Sequence, residues 1–356
     1  GLLDDDHSAL SRQLSRLLDA APGLQIAQRF DNTAQAEHAM RSAEVYAVVR
    51  IPADFSRNIK QDRTAQVTLL HNAQLGTHSG LIQRDVRTVV GTLSAGVEMA
   101  ARNQRGEAAQ VVRVSMEPVR ANLVTLFNAA LDYEQFLGAA LIPALLHILA
   151  MTAGAWAVGR ELRDRSVADW LGGAPSVAQV LGALLGKLVW AWLGLALVGT
   201  LMLVWITWGR GWYPPGSVAW TALALWVFLA LSIALGALAS AGTRSLQKAL
   251  SATGLITAPA FAFGGVGFPV QSMPWGAQLW AKTLPYTHYI RLQMEQLQMG
   301  APLSVSLATP LPQDVPIRYD LLATPLWMAL AAVLMLGATA LALRRVAVQP
   351  DSWGKR

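Results

Sequence analysis

The stretch FLGAALIPALLHILAMTAGAWAVGRELRDR (136–165) changes character abruptly, and that change decides the fold. Its first twenty-three residues, 136–158, include no Asp, Glu, Lys or Arg. Five charged side chains then follow within the six positions from Arg160 to Arg165. About 20 apolar residues in a helix cross the roughly 30 Å hydrocarbon core of a bilayer. The stretch therefore predicts a transmembrane helix that ends at a charged membrane boundary.

Four further runs have the length and apolar character of transmembrane helices: 188–208, 218–241, 249–268 and 325–343. Trp and Tyr cluster at several of their ends, as aromatic side chains do at membrane interfaces. Five such runs within residues 134–356 disfavour the alternative of buried helices in a large soluble core. The sequence predicts a polytopic α-helical membrane domain over 134–356.

The composition separates this part from the rest of the chain. The whole chain is 53% hydrophobic and 14% charged, whereas soluble domains carry about 25% charged residues. Residues 1–133 hold 14 basic and 14 acidic side chains, so the net charge of +6 belongs to residues 134–356. A neutral first part without Lys/Arg runs disfavours nucleic acid as a partner. The absence of cysteine excludes disulfides and thiolate metal sites.

The distribution of Lys and Arg among the loops predicts an orientation. With the 159–187 loop inside, ten basic residues lie inside and four outside, which follows the positive-inside rule. We therefore expect a cytoplasmic C-terminus and an extracytoplasmic, periplasmic domain over 1–133, in a bacterial inner membrane. Because the sequence starts at Gly1, we also expect an upstream apolar segment. A sixth, N-terminal helix is favoured over a cleaved signal peptide.

The outer domain is predicted to be mixed α/β. Strand-like bursts at 24–30, 45–51 and 65–71 alternate with helical stretches at 8–20, 33–42 and 77–105. The last of these helices is either a lever towards the membrane or a plain packing helix. Asp4, Asp5 and Asp6 precede the first helix, where helix capping is favoured over a metal site.

No motif for an enzyme or a metal site was found. LGALLGKL (181–188) has three residues between its glycines where a phosphate-binding loop has four, and Leu188 where that loop has Ser or Thr. Gly182 and Gly186 are instead predicted to allow close helix packing. We therefore expect a chain without catalytic residues, which binds no cofactor and no metal directly.

Two residues of the first span are candidates for a translocation path. His147 lies mid-way through the run, and a polar group at that depth is a functional candidate by default. An interhelical hydrogen bond without substrate contact is an equally weighted alternative. Pro143 frees a backbone carbonyl and is expected to kink the helix.

The segment before the last run is unusually rich in Pro, Gly and Trp. Between 264 and 300 these residues predict short helices that re-enter the outer leaflet beside a cavity or gate. An amphipathic pair lying flat on the surface is the alternative. The candidate gate residues in and beside this segment are Phe263, Phe268, Pro269, Pro274, Trp275 and Pro285.

Four stretches, in this order, resemble the type-2 ABC exporter permeases, the membrane subunits of bacterial ATP-driven exporters. LLDDDHSALSRQL (2–14) is similar to the family's strand, D-x-DHS and helix, and YAVVRIPADFSRNI (46–59) to its IP-x-x-F segment. GRELRDRSVADWLGGAPSVAQVLGALLGKL (159–188) resembles its charged cytoplasmic helix with the turn that follows. GFPVQSMPWGAQLWAKTLPYTHYIRLQMEQLQMG (267–300) resembles its re-entrant segment. Members with a large outer domain pair with a periplasmic adaptor protein.

The resemblance implies a coupling helix that docks on a cytoplasmic ABC ATPase subunit. Mixed charges around one aromatic anchor suit such an interface, whereas a solvated loop explains the arginines alone. The implied coupling residues are Arg160, Glu161, Arg163, Asp164, Arg165 and Trp170. The family has six spans, one more than the five visible in this sequence.

The sequence and the resemblance together predict a dimeric permease of an ABC exporter, with a second copy or a paralogue as partner. ATP and magnesium are expected on the separate ATPase subunit. The cargo is expected to be amphipathic, such as a drug or lipid, taken from the cytoplasm or from the inner leaflet among membrane lipids. The alternatives are a non-transporting receptor or scaffold that presents the outer domain, and a secondary transporter. The spans lack the paired acidic residues and the inverted repeat that would favour the last of these.

Overall fold

The computed structural model describes residues 1–61, 63–73, 76–105, 118–128, 132–172, 175–301, 303 and 323–348. It divides the chain into two compact units, Gly1–Asp132 and Tyr133–Arg356.

The first unit is a mixed sheet with helices. Its strands are β1 (Leu2–Asp4), β2 (Arg29–Phe30), β3 (Ala47–Ile51), β4 (Ala65–Asn72) and β5 (Val119–Leu126). Its helices are α1 (Ala9–Asp19), α2 (Thr33–Arg41), α3 (Phe55–Lys60) and α4 (Gly76–Arg105). The sheet order is β2-β1-β3-β4-β5, with β3 and β4 antiparallel and the other pairs parallel.

The predicted helices and strands of this unit are present, with different limits. The strand expected over 24–30 is reduced to Arg29–Phe30, and β5 was not foreseen. The alternating burial of β4 explains why its sequence was readable, because Ala65, Val67 and Leu69 face the core.

The Asp triplet does not cap α1 directly. The N-cap of α1 is Ser8, whose side chain accepts from the amide of Ser11. Asp4 accepts instead from the amides of Asp6 and His7 and from the Ser11 hydroxyl, at 2.8–3.1 Å. The carboxylate therefore fixes the turn that precedes the helix.

The second unit is helical. A π-helical turn (Glu134–Gly138) leads into α5 (Ala139–Arg163). The remaining helices are α6 (Val167–Leu171), α7 (Val177–Val204, with a π-helical turn over Trp205–Gly209), α8 (Val218–Thr243), α9 (Leu246–Thr257), α10 (Ala260–Phe263), α11 (Trp275–Thr283), α12 (Pro285–Met294, with a π-helical turn over Glu295–Met299) and α13 (Ala323–Val348).

Four stretches of helix in the described part of the chain are long and apolar enough to cross a membrane: Glu134–Arg163, Val177–Gly209, Val218–Thr243 and Thr324–Val348. They correspond to four of the five predicted runs. In each of the first two, the helix continues beyond the apolar run that signalled it. The protein is thus mostly helical in a manner consistent with a polytopic membrane protein.

The fifth run, 249–268, is not the continuous helix that the sequence predicts. It forms α9 and the four-residue α10, which are separated at Ala258 and Pro259. Pro259 has no amide hydrogen to continue the helical ladder. Gly264 and Gly265 then end the helical path, and Gly265 has a φ of +87°, which favours glycine. Neither helix reaches the length of a span.

α8 is the central helix of the unit and α7 is peripheral. In the most apolar window of each helix, 56% of the residues of α8 are buried, against 22% for α7. A Cβ on Gly236 of α8 would overlap the carbonyl oxygen of Met151 in α5, and one on Gly154 would overlap that of Ile233. These glycines therefore let α5 and α8 touch backbone to backbone, as small residues do in membranes.

The close packing predicted at Gly182 and Gly186 is absent within the described part of the chain. No neighbouring atom of this part lies within 4 Å of a Cβ built at either position. Both glycines lie on the exposed side of α7.

Candidate functional site

The charged segment after the first span is partly helical. α5 continues through Arg160, Glu161 and Arg163 before the chain turns at Arg165, whose φ is +58°. α6 follows at once, and α7 begins at Val177 with a capping box formed by Ser176 and Gln179. In its described residues, 159–172 and 175–187, the expected loop is therefore a helix end, a turn, a short helix and the first turns of α7.

Glu161 lies in the interior of this segment. Its residue exposure is 9%, and Lys187 and Ser166 both donate to its carboxylate. Arg160 contributes a third, longer contact of 3.3 Å from Nε. The carboxylate thus joins the end of α5, the turn after it and the first part of α7.

Lys187 also links this ion pair to Trp170. Its ammonium nitrogen lies 4.1 Å from the centroid of the indole ring, a cation–π distance. The Lys187 side chain is only 19% exposed, so the ammonium is shared between one carboxylate and one ring. α6 is held against α7 through this contact.

Arg163 and Asp164 form a second, exposed pair. Two guanidinium nitrogens of Arg163 donate to the two carboxylate oxygens of Asp164, at 2.8 and 3.2 Å. These hydrogen bonds hold the pKa of Asp164 below its usual value. Arg163 also stacks over the Trp156 ring, with its guanidinium carbon 5.3 Å from the ring centroid.

The six predicted coupling residues therefore separate into two groups. Glu161 is buried and Trp170 is half-buried, and both make contacts within the unit. The exposed group is Arg160, Arg163, Asp164 and Arg165, to which the structure adds Asp169 of α6. Sequence reasoning missed Lys187, because its partner lies 26 residues earlier in the chain.

His147 is fully buried between α5 and α8. Its Nδ1 lies 2.8 Å from the Ser232 hydroxyl, which itself donates to the Phe228 carbonyl at 2.8 Å. Nδ1 is therefore the donor to Ser232. Nε2 has no hydrogen-bond partner in the described part of the chain. The imidazole also lies beside the Phe228 ring, with centroids 5.3 Å apart.

α12 is buried against α5 and α8. Tyr289 stacks on Phe228 at 4.9 Å with an interplanar angle of 10°, so an imidazole and two rings form a continuous stack across three helices. Tyr286 donates its hydroxyl to the Ala140 carbonyl at 2.8 Å, and Gln293 donates to the Ala139 carbonyl at 2.6 Å.

A cavity of about 10 Å³ lies between α5, α7, α8 and α12. Pro143 lines it from α5, Gly199 from α7, and Tyr289 and Gln293 from α12. A volume of this size holds about one water molecule and no organic molecule. This space is therefore too small to hold a cargo molecule in this structure.

The other predicted gate residues lie in different environments. Pro269 is buried, and Pro285 is buried as the first residue of α12, where a proline fits a helix start. Phe263 is half-buried at the end of α10, whereas Phe268, Pro274 and Trp275 are exposed. Of the predicted path and gate residues, all of which lie in the described part of the chain, Pro143 alone lines the cavity beside α12.

In the first unit, the sequence did not predict a buried polar cluster around one histidine, His71. His71 is the last residue but one of β4. Its Nδ1 lies 2.6 Å from the Ser79 hydroxyl, and its Nε2 lies near Gln83 and Thr125 at 3.3 and 3.4 Å. Burial lowers the pKa of His71 below 6.5. The hydroxyl is itself 5% exposed, so the pair lies in the core rather than at a surface.

Among the residues that the structure describes, no group of three or more His, Cys, Asp or Glu side chains is arranged to hold a metal ion.

Comparison with known proteins identifies the family. A model described as ABC-2 family transporter protein matches residues 1–343, which include the first unit and most of the second. No curated protein and no solved structure matches the chain.

Proposed function

The chain belongs to the ABC-2 transporter family, and on this premise we propose that it is the permease subunit of a dimeric ABC exporter. Family membership makes it a membrane component of an ABC transporter, and implies an ABC ATPase as its partner. The exporter direction, the dimer and the residues that meet the ATPase are our proposal. The second protomer is another copy or a paralogue.

The observation that carries the coupling proposal is the exposed turn after α5. This turn exposes side chains of both signs of charge within three residues, Arg163, Asp164 and Arg165, and the exposed Asp169 of α6 follows. Mixed charges of this kind give specificity and a fast encounter at a protein interface. We assign docking on the ATPase to this face.

Glu161 and Trp170 receive a different role in this proposal. Both contact Lys187 inside the unit. In this proposal they transmit a push on α6 to the end of α5 and to the first turns of α7, and they do not touch the ATPase. A buried ion pair suits this role because breaking it leaves an uncompensated charge. We call the contacts of Lys187 with Glu161 and Trp170 the brace. In this proposal the brace makes α5, α6 and α7 move together when the ATPase pushes on α6.

The cargo proposed for the exporter is amphipathic. The middle parts of α7 and α13 expose apolar side chains, with Leu197, Leu201 and Leu330 all more than half exposed, and these surfaces suit a lipid-soluble molecule. We assign the gate along the path to the small cavity that Pro143 and Tyr289 line. His147 is fully buried and bonded to Ser232 in this structure, so in this proposal it and the aromatic stack beside it contact the cargo only after the gate opens.

The proposed location is the bacterial inner membrane, with the first unit periplasmic and the C-terminus cytoplasmic. The excess of Lys and Arg on one side of the spans supports this orientation. The first unit would then receive the cargo or bind a periplasmic adaptor protein. The ATPase partner would supply the ATP and magnesium sites.

The test is co-purification from membranes that contain the natural partners. The tagged chain is expected to capture a protein with ATPase activity, and Arg163→Glu/Arg165→Glu to lose it by at least about tenfold, since charged interface contacts contribute roughly 1.5 kcal/mol or more. Arg84→Glu, an exposed arginine of α4, is the matched control and should capture normally.

Two results would contradict the proposal. If the unaltered chain captures no ATPase, a receptor or scaffold that presents the first unit becomes the better account. If Arg163→Glu/Arg165→Glu captures the ATPase as well as Arg84→Glu does, the coupling face lies elsewhere.

A further inference from the structure

Pro143 leaves one backbone carbonyl of α5 without its helical donor. In an α-helix the amide of residue i donates to the carbonyl of residue i−4, so the donor for Ala139 would be position 143. Proline has no amide hydrogen. Ala139 is only 2% exposed, and a buried carbonyl without a donor is costly.

The missing donor comes from a residue 154 positions later. Gln293 of α12 donates from Nε2 to the Ala139 carbonyl oxygen at 2.6 Å, and is itself 2% exposed. Two further side chains of the same segment make similar bonds. Tyr286 donates to Ala140, and Gln298 donates to the Gln135 carbonyl at 3.1 Å.

We propose that Gln293 replaces the amide hydrogen that Pro143 lacks, and that α12 thereby forms a releasable latch on the first turns of α5. The bond to Ala139 is not part of the helical ladder of α5. Releasing α12 therefore breaks no helical hydrogen bond of α5, whereas an amide donor at position 143 would have made the same carbonyl part of a rigid helix. Pro143 removes the backbone donor to the Ala139 carbonyl, and Gln293 supplies a donor that can be released.

The position of the latch suggests what its release does. Pro143, Ala139 and Gln293 all line the cavity of about 10 Å³, and Tyr289 lines it from the same face of α12. Moving α12 away from α5 enlarges this cavity and separates Tyr289 from Phe228. This purpose rests on the proposed transport function, whereas the dependence of Gln293 on Pro143 does not.

The test uses a single reporter cysteine in the full chain, which contains no natural cysteine. Ile290 of α12 is fully buried, so Ile290→Cys should react slowly with a maleimide unless α12 is released. Labelling rates are measured for this reporter alone and together with Pro143→Ala, with Gln293→Leu, and with both. Gln293→Asn, whose amide is one carbon too short to reach, serves as a second variant that keeps polarity.

Gln293→Leu is expected to raise the labelling rate about tenfold, because the latched state loses a hydrogen bond and keeps an unpaired carbonyl. In the Pro143→Ala background the new amide satisfies Ala139, so the same change should raise the rate about threefold or less. Gln278→Leu is the matched control. It removes an amide-to-carbonyl bond of 2.8 Å within the α11 region, and its effect should not depend on position 143.

Equal effects of Gln293→Leu with and without Pro143→Ala would overturn the latch, as would a labelling rate that neither Gln293→Leu nor Gln293→Asn changes. The purpose of the latch is tested separately in membranes with the natural partners. There, ATP should speed labelling of the Ile290→Cys reporter. If ATP has no effect while the coupling to Pro143 persists, the latch stands and its role in transport fails.

Discussion

At the scale of single residues, the hydrogen-bond or ion-pair partner of a charged side chain decides whether that side chain is buried or exposed. The sequence shows that Glu161 is an acid among arginines, and the natural expectation is an exposed charge. In the structure the carboxylate turns inward to Lys187 and Ser166, while Asp164, three residues later, stays at the surface. A helix turn places positions 161 and 164 on nearby faces, so only the position of α7 distinguishes them.

The Glu161–Lys187 pair can be tested by a double-mutant cycle. Glu161→Gln or Lys187→Met alone leaves a poorly solvated charge, and each should destabilise the protein by about 2 kcal/mol. The double variant should cost less than the sum of the two, because neither charge is left unpaired. Thermal unfolding in detergent measures all four proteins.

The exposed pair supplies the comparison for this cycle. Arg163→Gln/Asp164→Asn removes a bidentate ion pair that water and salt screen, so the unfolding midpoint should hardly change. Strict additivity at Glu161 and Lys187 would show that the two side chains do not act as a brace.

His71 should make the first unit sensitive to mild acid. Its pKa is lowered in the folded state, so the unfolded chain binds a proton first as the pH falls below 6.5. This contribution to stability is complete above pH 6.5 and is lost as the pH falls towards the folded pKa. The unfolding midpoint of the full chain should therefore decline over this range, and His71→Gln should decline less steeply. A parallel decline in both proteins would exclude His71 as the cause.

Pro143 shows how far residue-level reasoning reaches. The freed carbonyl follows from the sequence alone, since the chemistry of proline is local. The donor Gln293 does not follow from the sequence, because it is 154 positions from Ala139 and local chemistry does not determine which distant polar side chain approaches α5. The same holds for His147, whose Ser232 partner lies 85 residues away.

At the scale of helices and strands, apolar runs reveal helices but not their limits. Helical backbone continues past the hydrocarbon boundary as long as its residues allow it, and α5 includes three charged residues before it ends. The 249–268 run was the reverse case: its composition suits a span, but Pro259 interrupts the hydrogen bonds that one continuous helix needs. β5 was missed because its polar–apolar alternation is short: it runs from Val119 to Leu123 and is interrupted at Val124.

A packed glycine of α8, Gly236, and an exposed glycine of α7, Gly186, should respond in opposite ways to replacement by alanine. Gly236→Ala places a methyl group against the Met151 carbonyl and should destabilise the protein by roughly 1–3 kcal/mol. Gly186→Ala meets no atom of the described chain within 4 Å and removes a poor helix former, so it should be neutral or stabilising by up to ~1 kcal/mol. Unfolding midpoints of the two variants give the comparison. Equal losses would mean that Gly186 packs against another molecule in the purified protein.

At the scale of the whole membrane unit, the broken helix pair α9–α10 extends from one end of α5 to the other. Leu246, the first residue of α9, lies against Gly159 near the end of α5. Gly264, just after α10, lies against Tyr286, whose hydroxyl binds Ala140 at the start of α5. The 18 residues between rise about 27 Å as a helix, close to the thickness of a bilayer core.

Whether α9–α10 crosses the membrane decides the topology, and cysteine labelling measures it. If the pair crosses, Thr283→Cys at the end of α11 lies outside and Arg345→Cys near the end of α13 lies inside. If it does not cross, the two positions exchange sides. Each variant carries one exposed cysteine in a chain that has none of its own.

Intact cells and a membrane-impermeant maleimide provide the readout. We expect labelling of Thr283→Cys and of Ala34→Cys, an exposed position of α2, because the loop charges place both outside. Asp169→Cys and Arg345→Cys should react only after the cells are opened, which also verifies that each cysteine is reactive. Protection of Thr283→Cys with labelling of Arg345→Cys would leave four crossings and remove α9–α10 from the spans. Protection of Ala34→Cys would place the first unit inside, together with the ATPase, and would invert the proposed direction of every helix.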